Sequence, residues 1–76
     1  MKKAQFLQEL EDILQREEPC VETDELENYE EWDSLAQMSL IAYLDRNFGI
    51  KLSFNNFKNT ITVADLINLA GGKIGD

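Results

Sequence analysis

The stretch WDSLAQMSLIAYLDRNFGI, Trp32 to Ile50, decides the fold. At about 100° per residue, Leu40, Ile41, Leu44 and Phe48 gather on one stripe, with Gln37 beside them. Asp33 and Ser34 are residues that open helices, and Gly49 suits a left-handed C-terminal cap. The pattern predicts a helix from about Ser34 to Phe48, with Ile50 folding back on Leu44. Leu35, Met38 and Ala42 fall on the other side, mixed with Ser39, Asp45 and Arg46. A helix apolar on both sides is either sandwiched in a core or shows a patch to a partner. In a chain of 76 residues few helices can be buried all round, which favours the patch. Met38 suits such a surface because its flexible thioether adapts to different shapes.

Outward from this segment the chain reads as helices. Phe6, Leu7, Leu10, Ile13 and Leu14 recur at helical spacing from residue 3 to about 16, and Pro19 forbids continuation. The connection from about Glu17 to Asp33 is longer than most loops in compact domains, which marks it as functional. Val21, Leu26, Tyr29 and Trp32 are its expected anchors to the core. Beyond Ile50, Phe54 and Phe57 suggest a short helix within about 54–59. Thr62 as N-cap, Asp65 at the third helical position and a staple between Ile61 and Leu66 start a last helix at about 63–70. Val63, Leu66, Ile67 and Ala70 make its inner face, and Gly71-Gly72 lead into a tail at 71–76. The expected fold is all-α: a small four-helix bundle, three main helices and one short one, with a long loop between the first two.

Composition narrows the chemistry. Fifteen acids against seven bases give a net charge of -8, which repels nucleic acid and anionic membrane and favours basic partners. Residues 1–38 hold twelve acids and three bases, a net of -9, and residues 39–76 three acids and four bases, a net of +1. Nine of the acids lie between Glu17 and Asp33, where there is no base. That loop is either a solvated segment or an electrostatic guide for a basic partner, and one segment can be both. An EF-hand is disfavoured, because no glycine stands at the required turn after Asp24. With no histidine and one cysteine, Cys20, the chain lacks the usual general base, any internal disulfide and any multi-cysteine metal cage. No pair of groups serves as nucleophile and base, so the chain is not expected to be an enzyme. Gln8, Glu9, Glu11 and Asp12 interrupt any signal-peptide core, and no run approaches a membrane span. A cytoplasmic monomer without membrane insertion is the expectation.

The chemistry sits at Asp33-Ser34-Leu35. The backbone N–H groups and positive dipole end of the helix lie beside the serine oxygen, a place that attracts phosphate, free or covalently attached. The bland alternative is that Asp-Ser merely caps the helix. With this tripeptide near mid-chain, Ser39-Leu40-Ile41-Ala42-Tyr43-Leu44 leading to Phe48-Gly49-Ile50, and Thr62-Val63-Ala64-Asp65-Leu66 opening the last helix, the chain resembles the acyl carrier protein family from about Ala4 to Ala70.

The resemblance implies one carrier domain over 1–76. It implies a phosphopantetheine arm on Ser34, donated by coenzyme A through a phosphopantetheinyl transferase, whose thiol holds acyl or aminoacyl cargo as a thioester. Asp33 matches the acid that helps dock the transferase. Leu35, Met38 and Ala42, with Ser39 and Arg46, match the partner-facing side of the second helix, which meets loading ligases and acceptor enzymes. Cys20, in an acidic loop, is expected to be a poor nucleophile and not the thioester thiol. One departure stands out. Fatty-acid carriers bear several acids along this helix, whereas here Ala36 and Ser39 occupy two such places and Asp45 is countered by Arg46. The charge lies ahead of Ser34 instead, which points to a dedicated carrier in a specialised pathway, and Trp32 before the motif has the same flavour. The competing function is an unmodified acidic helical adaptor that docks a basic protein through Leu35, Met38 and the loop.

Overall fold

A computed structural model describes residues 1–75. It contains three α-helices: α1 Lys3–Leu14, α2 Ser34–Phe48 and α3 Val63–Leu69. Two short 3-10 turns stand between them, Leu26–Asn28 and Phe54–Phe57. The short helix expected within 54–59 is thus a single 3-10 turn, and the fold is three helices plus two turns. Helix spacing places Phe6, Leu10 and Leu14 of α1 against Leu40 and Leu44 of α2 and Val63, Leu66 and Ile67 of α3 in one core. Burying side chains of this size stabilises by about 1.5–3 kcal/mol each.

The ends of the helices follow local chemistry. α1 stops two residues before the expected boundary, because Gln15 takes a left-handed φ of 55°. From there its N–H donates to Asp12 and Glu11, and the Arg16 N–H donates to Glu11 at 2.9 Å. α2 ends as expected at Gly49, φ 69°, whose N–H donates to Asp45 while the Ile50 N–H reaches Leu44. That pairing leaves few orphan carbonyls at the helix end. Asp45, however, is paired with Lys51 at 2.7 Å and not with Arg46.

Side chains and backbone organise the long connection. The Cys20 N–H donates to Glu11, and the Asp24 carboxylate accepts from the Val21 N–H and, at 2.6 Å, from the Tyr29 hydroxyl. Burial first, then that hydrogen bond, pushes the Tyr29 hydroxyl far above its ordinary value. Leu26 N–H donates to Ile61, and the Val63 and Ala64 N–H groups of α3 donate back to Asp24 and Glu22, across a lone antiparallel bridge between Glu25 and Thr62. The radius of gyration, 11.1 Å, matches the roughly 11 Å of a compact chain this long, so the loop lies against the helices.

Three expected placements change. Val21 is 49% exposed, and Cys20, at 4%, takes the core place instead. Ile61 is 63% exposed, so it does not join Leu66 in the core as a buried staple. Nor is the region after Ala70 a free tail. Ile74 is buried, the Met1 amino group donates to Lys73, and the Gly75 N–H donates to Met1. Asp76 of that tail lies outside the described residues. Among the described residues no helix is long and apolar enough to cross a membrane.

Candidate functional site at the start of the second helix

Asp33 opens α2 as its N-cap. Its extended backbone and a side-chain Oδ1 accepting the Ala36 N–H at 2.9 Å hold the first turn. The Asp33 N–H donates to Glu31, which fixes the approach of the loop. Ser34 is therefore the first helical residue, exposed, and its hydroxyl has no hydrogen-bond partner among the described residues. The N–H groups of Ser34 and Leu35 likewise have no acceptor there. An unengaged hydroxyl beside free N–H groups at the positive end of a 15-residue helix suits a phosphodiester: the helix end favours the anion, and nothing crowds the oxygen.

The rest of α2 separates by face. Leu40 and Leu44 are buried, with Ile41, Tyr43 and Phe48 packed against them. Leu35 and Met38 are 69% and 55% exposed, and Ser39, Ala42 and Arg46 lie exposed beyond them. The structure thus brings the expected partner-facing residues to one open side. It also corrects one inference about charge. Ala36 is 5% exposed and belongs to the core, so an acid would not be tolerated there as a surface feature; only Ser39 is open.

Two features near Ser34 were not read from the sequence. The first is Arg16, whose guanidinium lies 4.0 Å over the Tyr29 ring and bonds Glu31 at 3.0 Å and Glu18 at 3.4 Å. Its one available signal was its place, the last base before the nine acids. Arg16 thereby ties the end of α1 to the loop residue three before Ser34. Trp32 adds a second hold, edge-on to Phe57 at 5.4 Å. The second feature is a groove of about 420 Å³ where α1 meets α2. Ile13 lines it from α1 and Gln15 from the residue that ends that helix, Glu31 and Asp33 from the loop, and Leu35 and Ser39 from α2. Pairing of residues so far apart in sequence left no local pattern to read.

Cys20 takes no part in this site. Burial pushes its thiol up, more than the Tyr29 hydroxyl draws it down, and only the thiolate is a nucleophile. Among the described residues no cluster of acids or cysteine could hold a metal ion.

Comparison with known proteins agrees with this geometry. No curated protein sequence matches the chain, and no solved structure matches it. A family model described as "Phosphopantetheine attachment site" matches residues 4–70, nearly the whole chain and the span in which α1, α2 and α3 lie. The chain therefore belongs to the phosphopantetheine attachment site family: it is a carrier that bears a covalent phosphopantetheine and has no catalytic role of its own.

Proposed function

We propose that Ser34 bears the arm and that residues 1–76 act as one carrier unit, presenting an acyl or aminoacyl thioester to the enzymes of a dedicated pathway. The observation that carries this reading is the exposed, unengaged Ser34 hydroxyl at the open start of α2. Attachment balances simply. The Ser34 oxygen bonds to the pantetheine-side phosphorus of the coenzyme A diphosphate. The bond from that phosphorus to the nucleotide bisphosphate breaks, the nucleotide leaves with the electron pair, and the hydroxyl proton passes to the transferase's base. Once bound, the arm supplies the thiol that holds cargo.

The distribution of charge supports a dedicated set of partners. On α2 the single acid, Asp45, is already paired with Lys51, and Arg46 is exposed. Exposed acids lie in the loop ahead of Ser34, at Glu17, Glu18, Glu25, Glu27 and Glu30. A basic partner would be guided to the loop while Leu35, Met38 and Ala42 supply apolar contact. The exposure of Leu35 and Met38 taken alone would also serve an unmodified adaptor for a basic protein, and the family match over residues 4–70 favours the carrier.

Incubation with coenzyme A and a broad-specificity phosphopantetheinyl transferase, followed by intact-mass measurement, should add one phosphopantetheine. The addition should be absent from Ser34→Ala. An unmodified chain, under conditions that modify a control carrier, would overturn the proposal that Ser34 bears the arm. An addition that survives Ser34→Ala would move the site elsewhere.

A further inference from the structure

The groove between α1 and α2 begins beside the attachment residue. Asp33 and Leu35, the neighbours of Ser34 on either side, both line it. We propose that it is the resting site of the pantetheine portion of the arm borne by Ser34, an assignment that rests on the reading of Ser34 above.

Size and chemistry fit that occupant. About 420 Å³ lies in the range of small-molecule sites, roughly 300–1,000 Å³. Pantetheine carries a geminal dimethyl group, a hydroxyl and two amides along a short chain. Ile13 and Leu35 offer the dimethyl group apolar contact, while Gln15 and Ser39 offer polar partners. Both carboxylates of the lining are half used. Glu31 Oε1 accepts from Arg16 and Asp33 Oδ1 from the Ala36 N–H. Their second oxygens take no donor among the described residues and can accept the amide N–H groups of the arm. A long alkyl chain finds no such match, because it would have to desolvate those oxygens without bonding them.

The tether makes a weak site sufficient. A short flexible linker holds its far end at an effective concentration on the order of mM, so a groove of mM affinity is about half occupied. Carboxylates in the groove repel the phosphate at the same time, which keeps it on the free N–H groups of Ser34 and Leu35 and sends only the uncharged part of the arm across. The thiol end is then drawn toward the end of α1 and away from the exposed Leu35–Met38 side until a partner lifts it.

The test uses isotope-labelled protein bearing an unlabelled arm, with intact mass measured on the same sample. Expected are nuclear Overhauser contacts from the geminal methyls to Ile13 and Leu35, with amide shift changes at Gln15 and Glu31 on modification. Gln15→Trp, an exposed position just beyond α1 and off the partner-facing side of α2, would fill the groove and should keep the mass increment and lose those contacts. A full mass increment with no such contacts in the unaltered protein, and shift changes confined to residues adjoining Ser34, would overturn the groove assignment alone. A missing increment would overturn the reading of Ser34, and the groove assignment with it.

Discussion

Two helices in this protein start with capping residues and end up doing different things. At α3, Thr62 Oγ1 accepts from the Asp65 N–H, and the Asp65 carboxylate accepts from Ile61 and Thr62. The next two donors, on Val63 and Ala64, are taken by carbonyls of the long loop. Every N–H of the first turn is therefore spoken for, and the helix start has become a seam that holds the loop down. At α2, Asp33 satisfies Ala36 and stops there, leaving Ser34 and Leu35 with free donors facing out. A closed start gives stability to a seven-residue helix that would be marginal alone. An open start leaves hydrogen-bonding capacity for an anion that arrives later.

Removing the two hydroxyls should break the symmetry most sharply. Ser34→Ala should abolish modification completely while stability changes by less than about 0.5 kcal/mol, as for other exposed substitutions. Intact mass and a urea titration on one sample check both halves. A large loss of stability would mean that Ser34 is a structural residue after all. The next largest effect belongs to the first turn of α2 on its inner face. Ala36→Asp would put a carboxylate into the core and should cost about 2–4 kcal/mol. Ser39→Asp, on the open side, should be nearly neutral. Equal tolerance at both positions in denaturant would refute the division of α2 into an inner and an outer face. Third, Thr62→Ala leaves the Asp65 N–H without its acceptor and should cost about 1 kcal/mol. Because that start carries the seam, hydrogen exchange at Leu26 and Val63 should quicken as well. Loss of stability with unchanged exchange there would separate the cap from the seam.

The contrast between the two starts was only half visible in the residues. Both caps were legible, Asp33 and Thr62 alike, because capping depends on side chains at fixed offsets from the helix. So was the stripe of Leu40, Leu44 and Phe48, and so was the turn at Gly49. What closes the α3 start was not legible, since Glu22 and Asp24 act there through backbone carbonyls and any residue types would serve. The same cause hid the exchange of Val21 for Cys20. A loop has no period, so adjacent apolar residues compete for one core place and only the chain's path decides. Ile61 fits a staple by spacing, but its carbonyl is held by the Leu26 N–H while its side chain stays outside. Ala36 reads as a missing acid because its size hides its direction: a small residue fits either face of a helix. Arg16 was the hardest to see. Its partners Glu18 and Glu31 lie two and fifteen residues away, and nothing in a run of acids says which of them a base will choose.

The smallest expected effect probes how the closed start works. The backbone N–H groups of Ile61 and then Thr62 hold the Asp65 carboxyl below its ordinary range, against the opposing effect of burial. A carboxyl depressed in the folded state stabilises it above the unfolded pKa, about 3.9 for aspartate. That contribution is lost as pH falls from there through the folded value, where both states are protonated. Asp65→Asn keeps one acceptor oxygen and removes the charge. The variant should melt below the unaltered protein at neutral pH, and the gap should close as pH drops beneath about 4. At the open start the corresponding pair, Ser34→Ala and the unaltered protein, should differ by an amount that does not depend on pH, because a serine hydroxyl does not titrate. Were the Asp65 gap to stay constant into acid, its stabilisation would come from hydrogen-bond geometry alone. The closed start would then differ from the open one in the number of bonds it makes and not in charge.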